Sequence, residues 1–214
     1  MNIIDPAQIY LASASASSEI RGHLQIFSMQ ELLRSKAQPL FVDNVSHLSP
    51  IKALRWNPIK NGMFVTGGST LHDSVIRLYD INHLCKETLA NNMESMVSHA
   101  DVVHSVKCNS IISSLNWRKT KLTQGFGSHE LISTHGEPDC EVKLWQINKY
   151  KQKESLEPLS INGKKVEYWF SKIKDFYCHN EQVIDSILSP DSSTLATLCA
   201  DETLKFWKMF ESYS

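Results

Sequence analysis

The sequence predicts an all-β fold made of repeated antiparallel sheets, and two observations lead to that prediction. First, a seven-residue pattern occurs three times: an Asp, alternating apolar and cationic positions, and a final aromatic residue. The copies are Asp73–Tyr79, Asp139–Trp145 and Asp201–Trp207. The alternation has the period of a β-strand, so Arg77, Lys143 and Lys205 are expected on the face opposite the alternating apolar residues. Second, similar segments precede each copy, which indicates a larger repeat.

Two further strand-like runs precede each copy. The nearer run carries a small hydroxyl, and the farther run comes before turn signals such as Asn57-Pro58 and Pro190-Asp191. The nearer runs are Phe64–Thr66, Leu131–Ser133 and Leu195–Thr197, and the farther runs are Ile51–Trp56, Ile111–Trp117 and Val183–Leu188. An outer strand is expected after each aromatic residue, for example over Tyr168–Phe176. Each Asp is expected in the turn before the third strand, where its carboxylate can accept backbone N–H groups.

A degraded fourth copy precedes these three. Ile9–Ser15 supplies a strand, and Arg21–Phe27 ends in the same alternation, with Arg21 in the Asp position. This copy is expected to lack its first strand, because the chain starts too late to contain one.

The units together predict a single partial WD-repeat β-propeller domain over residues 1–214, with about three complete blades plus one incomplete blade. The blades are expected at roughly 1–45 (the incomplete one), 46–97, 98–160 and 161–210. A WD repeat has a period of ~40–45 residues. Loops near 81–110 and 146–167 are therefore expected to hold the excess length.

The composition narrows the class of protein. A hydrophobic fraction of 42% and a charged fraction of 21% are those of an ordinary globular domain. The five cysteines are scattered, as reduced intracellular thiols are. The chain lacks an apolar run of the ~18–20 residues that a membrane helix needs. A net charge of −1 gives no general attraction to nucleic acid or anionic lipid. We expect an intracellular protein with no nucleic-acid or membrane partner.

The recurring His, Ser/Thr and Asp residues resemble a catalytic triad, but their repetition favours architecture. A nucleophile needs one unique constellation, whereas a group present in every unit serves the fold. We predict a buried hydrogen-bond chain through a His, a strand hydroxyl, the turn Asp and the terminal aromatic residue. The residues assigned to it are Asp73, Tyr79, Asp139, Trp145, His179, Thr197, Asp201 and Trp207. No catalytic residue is assigned.

Other candidate sites are better explained structurally. One candidate set of metal ligands consists of His99, His104 and Cys108. Its spacing matches no closed zinc pattern, so we expect no metal and no cofactor. Gly67-Gly68 lacks the Lys-Ser/Thr ending of a phosphate loop and is interpreted as a turn between strands. His135-Gly136 is interpreted as a loop with glycine at a turn. Acidic residues are interleaved with the lysines of Asn148–Asp175, which favours a solvated loop over a nucleic-acid site.

Several segments resemble the Fizzy family, the WD-repeat activators that recruit substrates to the anaphase-promoting complex, a ubiquitin ligase. The segments are Ile51–Pro58, Phe64–Thr70, Ile76–Tyr79, Glu130–Gly136, Leu188–Asp191 and Ala200–Trp207. The resemblance implies roughly the C-terminal half of a seven-bladed propeller that binds degron peptides in mitotic or meiotic control. It implies subunits of the anaphase-promoting complex and degron-bearing substrates as partners, and a location in the nucleus and cytoplasm.

The same resemblance assigns two degron-binding residues. Glu202 matches the last-blade glutamate that pairs with the destruction-box arginine, although an exposed turn residue would have the same pattern. Thr70 matches a top-face threonine that takes part in KEN-box recognition. Gln182 and Ile111 depart from the arginine and the polar residue expected at that site. A generic WD-repeat scaffold without ligase docking is therefore the alternative.

The expectation that no strand precedes these units also bears on closure of the propeller. A propeller closes by taking the outer strand of its last blade from the start of the chain. We therefore predict that the last unit, at about 178–210, has only three strands. The chain is then either the C-terminal portion of a longer activator or a shortened relative that associates with another chain.

Overall fold

The computed structural model describes residues 2–16, 21–34, 38–81, 102–119, 129–149, 160–161, 164–165, 168–177 and 179–209. Within these ranges the chain forms four successive antiparallel sheets and one separate two-stranded hairpin. The all-β prediction is confirmed. None of the helices in these ranges is long and apolar enough to cross a membrane.

The first sheet has four strands in sequence order. They are β1 (Asn2–Ile4), β2 (Tyr10–Ala16), β3 (Gly22–Ser28) and β4 (Phe41–Asp43), and the short helix α1 (Met29–Leu33) precedes β4. The expectation that this unit lacks its first strand is wrong. Three residues are enough, because β1 pairs with β2 from Asn2 opposite Ser13 to Ile4 opposite Leu11.

The second and third sheets also have four strands each. The second contains β5 (Ile51–Trp56), β6 (Met63–Gly68), β7 (Val75–Asp80) and β8 (His104–Lys107). The third contains β9 (Ile112–Trp117), β10 (His129–His135), β11 (Glu141–Lys149) and β14 (Tyr168–Tyr177). The separate hairpin of β12 (Ser160–Ile161) and β13 (Lys164–Lys165) lies between β11 and β14 in the chain.

The outer strands fall later in the chain than the expected blade boundaries. β8 pairs with β7 and lies beyond residue 97, and β14 pairs with β11 and lies beyond residue 160. The segments 81–110 and 146–167, expected as loops, thus contain β8, the end of β11 and the small hairpin. Residues 82–101, 150–159, 162–163 and 166–167 of these segments lie outside the described part of the chain.

The last sheet has three strands within the described residues, as predicted. They are β15 (Val183–Leu188), β16 (Thr194–Cys199) and β17 (Leu204–Lys208), in that order. The inner strands β5, β9 and β15 surround a cleft of about 250 Å³. The second, third and last sheets therefore follow one another with their first strands innermost, as the blades of a propeller do.

The register places the cation of each seven-residue pattern directly opposite the hydroxyl of the preceding strand. Thr66 faces Arg77 across β6 and β7, and Ser133 faces Lys143 across β10 and β11. In the last sheet Thr197 faces Lys205. Since side chains alternate along a strand, the terminal aromatic residue shares this face and the apolar pair shares the other.

The two faces of each sheet pack against different neighbours. Tyr79 belongs to a buried cluster shared with the first sheet, whereas Ile76 and Leu78 belong to one shared with the third. In the third sheet Val142 and Leu144 pack in the same way towards the last sheet. The apolar faces of the second and third sheets are thus each buried by the sheet that follows.

Candidate functional site

The second sheet contains a buried hydrogen-bond chain at the turn that follows β6. His47 Nε2 lies 2.6 Å from Thr66 Oγ1, and His47 Nδ1 lies 2.8 Å from Asp73 Oδ2. Arg77 Nη2 lies 2.8 Å from Asp73 Oδ1. Burial alone would raise the pKa of Asp73, but His47 and Arg77 hold that pKa below its usual value. Tyr79 takes no part in this chain, because its hydroxyl donates to Asp43 Oδ2 at 3.0 Å.

The third sheet builds the same chain from a different histidine. Trp145 Nε1 donates to Ser133 Oγ at 2.7 Å, and Ser133 Oγ lies 2.7 Å from His135 Nε2. Ser110 Oγ then bridges His135 Nδ1 and Asp139 Oδ2, at 3.0 Å from each. The interpretation of His135 as a loop residue is wrong. It is the last residue of β10 and is fully buried, which lowers its pKa to about 3.

The last sheet brings His179, Thr197, Asp201 and Trp207 together. Trp207 Nε1 donates to Thr197 Oγ1 at 2.9 Å, and His179 Nε2 lies 2.8 Å from the same oxygen. The final link is longer, since His179 Nδ1 is 3.7 Å from Asp201 Oδ2. The Thr203 hydroxyl donates to Asp201 Oδ1 and lowers the pKa of Asp201 to about 2.

Four features of these chains were not assigned from the sequence: His47, Ser110, the role of His135 and the ion pair of the strand cation. Lys143 Nζ lies 2.7 Å from Asp139 Oδ2, four residues earlier, in the same way that Arg77 reaches Asp73. The available signal was the four-residue spacing between Asp and cation within the repeated pattern. His47 had a signal of its own, because it lies four residues before β5, as the predicted His179 lies four residues before β15.

Glu202 lies in the turn between β16 and β17. It is exposed, and its φ of 62° puts it in the left-handed region. The two strands that this turn joins pair last at Leu198 and Leu204, which lie directly opposite each other. These two belong to the apolar face of the last sheet, which no sheet covers within the described chain. We call this surface the open flank; its exposed members are Ile184, Ile187, Leu198, Leu204 and Phe206.

Thr70 occupies the corresponding connection of the second sheet. Its carbonyl accepts the backbone N–H of Asp73 at 3.1 Å, in the 3-10 turn Leu71–Asp73. Ile111 and Gln182 lie near each other across the third and last sheets, because a Cβ placed on Gly136 would approach both. Gln182 is exposed, and its carbonyl accepts the backbone N–H of Ala200.

The remaining sequence candidates do not come together as a site. His104 packs against Phe170, and the Cys108 carbonyl accepts a hydrogen bond from Ser74, whereas His99 lies outside the described residues. Gly67 and Gly68 form the buried end of β6 rather than a turn. A Cβ at Gly68 would collide with the Asp73 carbonyl at 1.9 Å, so close approach explains this glycine. In the lysine-rich segment, Lys172 pairs with Asp175 at 2.6 Å.

Successive antiparallel sheets, packed with their first strands innermost and locked by hydroxyl, histidine and aromatic side chains, define part of a WD-repeat β-propeller. A chain from the crystal structure of the mitotic checkpoint complex matches this arrangement with a TM-score of 0.65 and 25% identity. The match covers 98% of this chain and 50% of that chain. The predicted fold class is confirmed.

Within that class, the chain resembles the Fizzy family, as its motifs indicate. The WD repeat-containing protein srw1 of Schizosaccharomyces pombe is 26% identical over 79% of this chain and 22% of its own length. The APC/C activator protein CDH1 of Saccharomyces cerevisiae is 27% identical over 77% of this chain and 21% of its own length. Protein FIZZY-RELATED 2 of Arabidopsis thaliana is 29% identical over 78% of this chain and 25% of its own length.

The chain thus spans about a quarter of the length of the curated relatives it matches. No protein-family model matches it.

Proposed function

We propose that this chain is a non-catalytic substrate adaptor, an activator of the anaphase-promoting complex that holds degron peptides in mitotic or meiotic control. One observation carries the proposal. An exposed residue, Glu202, lies in the turn that joins two strands of an open apolar surface, in a chain that is similar to a protein named as an APC/C activator.

The chemistry of this surface fits a peptide of the form Arg-x-x-Leu. The Glu202 carboxylate can accept a charge-assisted and bidentate pair of hydrogen bonds from a guanidinium group. In an extended peptide the leucine follows the arginine by roughly 10 Å, at ~3.3 Å per residue. The open flank supplies apolar surface for that leucine, since Leu198 and Leu204 are 43% and 57% exposed.

We propose a non-catalytic role because the polar groups that could serve catalysis, a hydroxyl and a histidine, are repeated from sheet to sheet. A hydroxyl and a histidine make direct contact in the second, third and last sheets alike. In each sheet the hydroxyl belongs to a hydrogen-bond chain that joins strands to turns. Such repeated and buried groups satisfy one another, which is their structural use.

Charge reversal at Glu202 tests the binding site. A labelled Arg-x-x-Leu peptide is titrated with the intact chain, and binding is followed by fluorescence anisotropy. Glu202→Lys should weaken binding by ~1–3 kcal/mol, the scale of a hydrogen bond to a charged group. The matched control is Glu137→Lys, because Glu137 is also exposed in the turn between the second and third strands of its sheet. The control should bind as the wild type does.

Two outcomes would contradict this proposal in different ways. Equal binding by the wild type and Glu202→Lys would remove the site assignment. A wild-type chain that does not bind the peptide would remove the adaptor role for this chain.

Thr70 is proposed as a second degron contact. Thr70→Ala should therefore weaken the binding of a KEN peptide and leave the binding of the Arg-x-x-Leu peptide unchanged.

A generic WD-repeat scaffold without ligase docking is the second candidate. It is favoured by Gln182 and Ile111, which replace a cation and a polar group on the surface proposed for KEN recognition. The two candidates predict different partners. The adaptor should capture subunits of the anaphase-promoting complex and degron-bearing substrates, and the scaffold should not capture the ligase.

We also propose that the chain acts in the nucleus and cytoplasm, where the anaphase-promoting complex would be its partner. A fluorescent fusion expressed in its source cells provides the measurement. Fluorescence confined to a membrane-bound compartment other than the nucleus would contradict this location.

A further inference from the structure

The last sheet differs from the second and third at one position of the hydrogen-bond chain. The residue two places after the strand hydroxyl is Gly68 in the second sheet, His135 in the third and Cys199 in the last. The last sheet therefore places a thiol beside its histidine and its turn aspartate. One ligand atom from each of His179, Cys199 and Asp201 lies within 4.8 Å of the other two.

The spacing of the histidine and the aspartate also differs between sheets. In the second sheet His47 Nδ1 and Asp73 Oδ2 are in direct contact at 2.8 Å. In the last sheet His179 Nδ1 and Asp201 Oδ2 are 3.7 Å apart, which is too long for a hydrogen bond. Bonds of ~2.1 Å from a tetrahedral zinc ion hold nitrogen and oxygen ligands about 3.4 Å apart. The wider spacing is thus close to that of two ligands on one metal ion.

The neighbouring groups leave suitable lone pairs on both residues. Thr197 Oγ1 has two acceptor sites, so it can accept N–H groups from both Trp207 Nε1 and His179 Nε2. That tautomer leaves a lone pair on His179 Nδ1. Thr203 Oγ1 lies 3.5 Å from this nitrogen but donates to Asp201 Oδ1, so the lone pair can bind a metal. A hydrogen bond from the second ring nitrogen is the usual support of a metal-binding histidine.

The carboxylate and the thiol are held in place in a similar way. Thr203 donates its backbone N–H and its hydroxyl to Asp201 Oδ1, which turns Oδ2 towards His179. Cys199 Sγ accepts the backbone N–H of Asp201 at 3.5 Å and donates to the Glu181 carbonyl at 3.4 Å. The His179 side chain is fully buried, whereas that of Asp201 is 22% exposed, so an ion can enter from the Asp201 side.

We propose that His179, Cys199 and Asp201 form a binding site for one divalent transition-metal ion of the zinc class. Imidazole, thiolate and carboxylate are the three side-chain ligand types that zinc prefers. Cys199 binds as the thiolate, and its proton is released to the solvent. Water from the exposed side completes the tetrahedron. The ion links His179 to Asp201 in place of a direct hydrogen bond and stabilises the turn before β17.

Cobalt substitution tests the site, because a Co²⁺–thiolate bond gives charge-transfer absorption in the near ultraviolet. The metal-free chain is titrated with Co²⁺ and then with competing Zn²⁺. The absorption should saturate at about one ion per chain and disappear with Zn²⁺. It should be lost in Cys199→Ser and retained in Cys108→Ala, a buried thiol of the second sheet's core cluster. Cys178→Ser should retain it as well.

Absorption that survives Cys199→Ser, or that depends on Cys178 instead, would overturn the proposal. So would a wild-type chain that gives no charge-transfer absorption with Co²⁺. A second variant avoids changing a ligand. Thr203→Ala releases Asp201 Oδ1 and should weaken Co²⁺ binding by about 10–100-fold, the usual effect of losing an outer hydrogen bond at a metal site. Unchanged affinity in Thr203→Ala would contradict the assignment of Asp201.

Discussion

The second and last sheets carry the same sequence pattern but differ in what their apolar faces contact. Ile76 and Leu78 of β7 are 0% exposed, because the third sheet packs on them. The equivalent residues of β17, Leu204 and Phe206, are 57% and 68% exposed. Strand register and residue type are alike in the two sheets. The difference shows that burial of this face comes from the next sheet and not from the sheet itself.

The hydrogen bonds that attach each sheet to the sheet before it also differ for the last sheet. Trp56 Nε1 donates to the Ile3 carbonyl of the first sheet at 2.9 Å, and Trp117 Nε1 donates to the Arg55 carbonyl of the second at 3.1 Å. The last sheet has Leu188 at the corresponding position, which has no side-chain donor. Instead, Asn116 and Ser114 of the third sheet donate to the Ser186 carbonyl. The last sheet is thus attached by polar side chains of its neighbour.

The largest expected effect is on stability, and it tests the comparison of faces directly. Leu78→Ala should lower the free energy of unfolding by about 2–5 kcal/mol, because it leaves a cavity between two sheets. Leu204→Ala makes the same chemical change on an exposed face and should change the free energy of unfolding by less than about 0.5 kcal/mol. Urea unfolding followed by circular dichroism measures both variants. Equal losses would mean that the open flank is buried in solution.

A smaller effect concerns pH and the closed hydrogen-bond chain of the third sheet. Burial lowers the pKa of His135 from 6.5 to about 3, so the folded state keeps this histidine neutral. Between these values the unfolded state binds more protons than the folded state. The stability from His135 is therefore complete above pH 6.5 and is lost as the pH falls towards 3, at up to about 1.4 kcal/mol per pH unit.

The variant His135→Asn tests this dependence. It should be less stable at neutral pH, yet its unfolding free energy should fall less steeply on acidification than that of the wild type. Titration of the His135 ring by NMR gives an independent reading. A ring that gains its proton near pH 6.5 in the folded chain would refute the explanation.

The smallest expected effect on stability is accompanied by a change in association. Phe206→Ser removes the most exposed large apolar side chain of β17 and should change the unfolding free energy by less than about 0.5 kcal/mol. Large exposed apolar patches favour association, so the variant should self-associate less than the wild type. Light scattering over a concentration series measures this. Unchanged association would show that the open flank does not mediate contacts between chains.

The sequence could predict the repeated strands because their alternation is local. The Asp, the cation and the aromatic residue follow one another on a single strand, and the hydroxyl lies on the strand before it. The short β1 strand and the outer strand β8 carried too little pattern to be placed, because three or four residues fit many contexts. His135 completes its chain from the end of β10, so the spacing that places His47 and His179 ahead of their first strands could not identify it.

By itself, then, the sequence determined the kind of strand, the order of the sheets and the family that the chain resembles. Only the tertiary structure decided which histidine completes the hydrogen-bond chain of the third sheet, since His135 ends β10 whereas His47 and His179 both lie four residues before the first strand of their sheets. It also decided that the thiol of Cys199 lies beside His179 and Asp201. The physical reason is the same in each case. Alternation along a strand fixes which side chains share a face, but contact depends on how neighbouring strands and sheets are packed.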